Sequence, residues 1–78
     1  MAKLLIVNAE EMIKSLRRAG FVEARQAGSD LTMYEPDTGR RVTIPRHPGD
    51  MPGRLIRKIL RHADLTPDDL GRLLRKKK

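Results

Sequence analysis

Between Asn8 and Gly20 the apolar residues Met12, Ile13, Leu16 and Ala19 recur every three or four positions, the spacing that lines one face of an α-helix. Asn8 precedes the run with Glu11 three residues on, a capping-box pair, and Gly20 follows where a left-handed residue stops a helix. The period then shortens to two. "FVEARQ" (21–26), "DLTMYE" (30–35) and "RRVTIP" (40–45) predict three strands, separated by Ala27-Gly28-Ser29 and by Pro36-Asp37-Thr38-Gly39, residues that turns favour. Alternation places Leu31, Met33, Val42 and Ile44 on one face, and Asp30, Thr32, Tyr34, Arg41 and Thr43 on the other. A sheet with one wet face is usual for an antiparallel meander.

"RHPGDMPG" (46–53) predicts a loop. A second helix follows from about Pro52 to His62, with Leu55, Ile56, Ile59, Leu60 and Ala63 inward and Arg54, Arg57, Lys58 and Arg61 on the opposite side. Thr66 as N-cap, Pro67 at the first helical position and Asp69 returning the capping bond announce a short third helix, with Leu65 and Leu70 spaced as a hydrophobic staple. Residues 1–7 form an N-terminal segment, and the basic tail 75–78 is expected to fray. The order is α-β-β-β-α plus a short C-terminal helix, an α+β class with a three-stranded antiparallel sheet.

A chain of 78 residues at 38% apolar supports one domain of modest stability. The absence of cysteine removes disulfides and thiolate metal ligands. His47 and His62 are the only histidines. A metal site built from Asp30, Asp37 or Asp50 with His47 has no recognisable ligand spacing, and no metal or cofactor is expected. No apolar run approaches the roughly 20 residues that span a bilayer, and "KLLIV" is too short for a signal-peptide core. A soluble cytoplasmic protein is expected.

Charge sharpens the picture. Residues 1–39 carry five Lys/Arg against six Asp/Glu, and residues 40–78 carry twelve against four. So basic a half attracts polyanions through counterion release. Lys14, Arg17, Arg18, Arg25, Arg41, Arg46, Arg54, Arg57, Lys58 and Arg61 are the candidate contacts to nucleic acid, the bland alternative being solvated surface. Tyr34 shares the wet face, but two aromatics in the chain do not make a stacking platform for several bases. Gly28 serves its turn by allowing φ > 0, and Ser29 either caps locally or touches a phosphate. Asp30 is unexpected in such a chain; from the residues alone it is a polar residue capping the Gly28-Ser29 turn. His62 suits the dipole at a helix end.

"LRRAGFVEARQAGSD", then "RRVTIPRH", then "PGRLIRKILRHADLTPDDL" resemble the HicA toxins of toxin–antitoxin systems, over roughly residues 8 to 74. The resemblance implies a double-stranded-RNA-binding-domain-like fold. It implies an mRNA endonuclease, with RNA as substrate and a HicB-type antitoxin as partner, either as a monomer alone or as a hetero-oligomer with that antitoxin. It also implies that the residue after Gly28-Ser29 is the catalytic histidine. Here that residue is Asp30. Cleavage through the ribose 2′-hydroxyl needs a proton acceptor and a donor; histidine, with a pKa of about 6.5, serves as either near neutrality. Aspartate, at about 3.9, is ionised there, accepts weakly and repels phosphate. Reduced or absent cleavage is expected. His47 is a candidate replacement if it pairs with Asp30. Two rival readings remain: a non-catalytic RNA-binding module of the same fold, and an interaction protein whose charge only meets an acidic partner.

Overall fold

The computed structural model describes residues 5–75. The predicted order holds: α1 (Ala9–Arg18), β1 (Val22–Ala27), β2 (Asp30–Tyr34), β3 (Arg41–Pro45), α2 (Gly53–His62) and α3 (Pro67–Arg75). The strands pair antiparallel in the order β1-β2-β3, the arrangement of a double-stranded-RNA-binding-domain-like α+β fold. Arg75, the first residue of the basic tail, is the last residue of α3. The rest of that tail, 76–78, and the first four residues of the N-terminal segment lie outside the described residues.

α1 starts and stops, and α2 stops, for local reasons. Asn8 accepts from the Glu11 N–H while the Glu11 carboxylate accepts from the Asn8 N–H, at 2.8 and 3.0 Å. At the other end of α1, Gly20 at φ +108° turns the chain so that the Phe21 N–H returns to the Leu16 carbonyl at 2.9 Å, a Schellman closure. The same closure ends α2, from the Leu65 N–H to the Leu60 carbonyl at 2.8 Å, with Asp64 in the left-handed position at φ +61°.

The helices cover one face of the sheet. Met12, Ile13 and Leu16 of α1, Leu31 and Met33 of β2, Val42 and Ile44 of β3, Ile56, Ile59 and Leu60 of α2 and Leu70 of α3 share one buried cluster. Phe21 belongs to that core rather than to a strand. β1 is exposed along its whole length and carries a bulge between Glu23 and Arg25. The bulge adds one residue to β1, so Arg25 comes to lie opposite Thr32.

Candidate nucleic-acid interface and reactive position

Gly28 and Ser29 form a two-residue hairpin loop closed by the Ala27–Asp30 pair. Gly28 sits at φ +60° with nothing within 4 Å of where a Cβ would lie. Its requirement is therefore conformational, not steric: a hairpin of this length needs a positive φ at its first loop residue. The loop is tied down by other residues. The Gln26 amide donates to the Gly28 carbonyl at 2.9 Å, and the Arg46 N–H donates to the Ser29 carbonyl at 2.6 Å.

Asp30 therefore does not hold the turn. Its side chain is exposed and makes no hydrogen bond or ion pair among the described residues. Nor is it bonded to His47, which lies in a shallow depression over the start of α1 with Asn8, Glu10, Arg46 and Pro48. Asp37 stands in the turn beyond the other end of β2, about 13 Å or more away along the strand, so the two carboxylates do not share a site.

Register puts three rows on the uncovered face of the sheet. Val22, Tyr34 and Arg41 lie across one row, Arg25, Thr32 and Thr43 across the next, and Ala27, Asp30 and Pro45 across the third, because directly opposed residues share a face. Side-chain geometry agrees. The Thr32 and Thr43 hydroxyls are 3.5 Å apart, and the Arg41 guanidinium stands 5.9 Å over the Tyr34 ring.

The cations divide by what they already touch. Arg46 is a buttress: its Nε and Nη2 donate to the Glu10 carboxylate at 3.1 and 2.7 Å, and its Nη1 to the Gln26 amide oxygen at 3.0 Å. Arg18 donates to the Leu73 and Leu74 carbonyls at 2.6 and 3.3 Å, where it meets the negative end of α3. Arg17 pairs with Glu23. Lys14, Arg25, Arg41, Arg54, Arg57, Lys58 and Arg61 form no ion pair among the described residues. Gly53, Arg54, Arg57, Lys58 and Arg61 line one open groove along α2. Glu10 and Gln26, which fix Arg46 and the hairpin, went unnoticed in the sequence; they lie 36 and 20 residues from Arg46, beyond any local spacing signal.

Two surfaces are thus cationic and accessible: the α2 groove, on the helical side, and the uncovered sheet face, on the other. Asp30 lies on the second. Residues 9–65 match the family described as "HicA toxin of bacterial toxin-antitoxin". No curated protein matches the chain. The matched span runs from the start of α1 to just beyond α2 and ends before α3.

Proposed function

This chain belongs to the HicA toxin family of bacterial toxin–antitoxin systems, and from that premise we propose that it is an RNA-binding toxin on an mRNA endonuclease scaffold, with cleavage reduced or absent because of Asp30. The observation that carries this reading is the state of Asp30. It follows Gly28-Ser29, is exposed at the end of a tied-down hairpin, and has no structural partner among the described residues. A residue with no bond to hold is free to meet a substrate.

The chemistry follows from the side chain. For the 2′-hydroxyl to attack its neighbouring phosphorus, one group removes its proton and another protonates the departing 5′-oxygen. An imidazole does either; an ionised carboxylate only accepts, and with a low proton affinity. Its charge also opposes the phosphate it would face. Loss of one acid–base group lowers rates by about 10² to 10⁴. Binding survives that loss, because the unpaired arginines and lysines contact phosphate and 2′-hydroxyl and recognise shape more than sequence.

Toxins of this class are paired with antitoxins, and a partner with an acidic face suits this one, since it competes with RNA for the same cations. No helix among the described residues is long and apolar enough to cross a membrane, and the cytoplasm, where mRNA is translated, is the compartment we assign. Induced expression in a bacterial host tests the reading. Asp30→His is expected to arrest growth where the parent chain does not, and a HicB-type antitoxin is expected to relieve the arrest. Equal growth with both chains, at equal soluble expression, would instead favour the non-catalytic RNA-binding module.

A further inference from the structure

We propose that the uncovered face of the sheet carries a single RNA strand along β2, with one base stacked on the Tyr34–Arg41 pair about two nucleotides from the phosphodiester that faces Asp30. This rests on the RNA-binding reading above and adds to it the face, the order of the site along β2 and the form of the ligand.

Three observations carry it. The face is built from side chains suited to one strand: a ring beside a guanidinium at one end, a pair of hydroxyls with Arg25 in the middle, and the reactive position at the other end. Arg25 and Arg41 are exposed and form no ion pair among the described residues, so their charge is available to phosphate. No helix covers this face, because the helices share the buried cluster with Leu31, Met33, Val42 and Ile44 on the opposite side.

The spacing supports an extended strand. Successive rows are two residues apart along β2, about 7 Å, and the distance from Asp30 to Tyr34 is roughly 13 Å. Each row then meets about one nucleotide of an extended chain. A single tyrosine is not a platform for several bases; with the Arg41 guanidinium over its ring, the pair offers one base a stacking and cation–π contact. The Thr32 and Thr43 hydroxyls, each able to donate and accept, suit a 2′-hydroxyl. A duplex is too wide to lay one base flat against Tyr34, whereas an unpaired base reaches it freely. A duplex would be held instead along the α2 groove.

Tyr34 itself reports the contact. It is the only tyrosine, and the chain has no tryptophan, so intrinsic emission comes from this ring. The full-length chain is titrated with a short single-stranded oligoadenylate and, separately, with a blunt-ended RNA duplex, following both emission (corrected for absorption by the RNA) and the anisotropy of a labelled strand. The expected result is quenching by the single strand that saturates with the anisotropy, and little quenching by the duplex. Tyr34→Leu is expected to weaken single-strand binding about fivefold to a hundredfold, and Tyr34→Phe to keep it within about twofold. Single-strand binding with unchanged Tyr34 emission overturns the inference while leaving RNA binding intact, and quenching by the blunt-ended duplex alone overturns the assignment to a single strand. Failure of both RNAs to bind overturns the proposed function as well. The emission measurement uses the unsubstituted chain, so instability of Tyr34→Leu does not blunt it.

Discussion

Asp30 places a negative charge where the proposed strand brings its phosphate. Two unit charges about 4 Å apart in water repel by about 1 kcal/mol, so Asp30→Asn, which keeps the shape and removes the charge, is expected to tighten single-strand binding about fivefold at low salt. Anisotropy titration measures it, and unchanged affinity would place the phosphates elsewhere. Another residue works against its own backbone. Asp64 holds a left-handed conformation at φ +61° to close α2, a region that costs L residues about 1–2 kcal/mol, less for Asp. Its pair with Arg40, at 3.7 Å and 45% and 76% exposed, offsets little of that. Asp64→Gly is expected to raise stability by about 0.5 kcal/mol, read from the midpoint of urea unfolding. Gly20, in the equivalent place on α1, was legible in the sequence because glycine is the usual residue there. Asp64 was not, because aspartate is equally at home in turns, caps and solvent.

Among the elements, α3 best shows how local sequence and remote packing divide the work. Its start was readable residue by residue: the Asp69 N–H donates to the Thr66 hydroxyl at 3.1 Å and the Thr66 N–H to the Asp69 carboxylate at 2.9 Å. The Thr66 N–H, together with Arg72, holds the Asp69 carboxyl below its ordinary range. A carboxyl whose pKa is lower folded than unfolded contributes stability above its unfolded pKa and loses that contribution as pH falls through the folded one. Acid unfolding monitored by circular dichroism is expected to show this loss, with Asp69→Asn less stable near neutrality and less sensitive to acid. The end of α3 was not legible. Arg18, assigned to RNA from charge alone, directs its hydrogen bonds to carbonyls 55 and 56 residues away. Arg18→Ala is expected to cost about 1–2 kcal/mol and to speed amide exchange across α3 while leaving α1 protected. β1 was the least legible strand. The alternation of "FVEARQ" ignores the bulge, and Phe21, which looks like a strand residue, follows the helix-ending turn into the core.

For the whole molecule, the basic second half of the chain supplies cations to two separate surfaces. The basic second half supplies α2, whose four cations line one groove, and Arg41 on the sheet face. The distribution of cations was readable from helical and strand periods. Which of them are engaged internally was not, because Arg18 and Arg46 find their partners through tertiary contacts. If a single strand on the sheet face meets Arg25 and Arg41, the slope of log K against log salt is expected near roughly −1 to −2. A slope near zero would leave an acidic protein, not RNA, as the partner of this charge.

The proposed proton-transfer role of the Asp30 position admits a direct test: the single-turnover rate of single-stranded RNA cleavage by the parent chain and by Asp30→His, compared at equal RNA occupancy. We predict at least about a hundredfold faster cleavage by the histidine variant, with a rate that depends on pH near the imidazole range. Equal rates, or no detectable cleavage by a folded, RNA-bound Asp30→His, would contradict the assignment of Asp30 to a proton-transfer position.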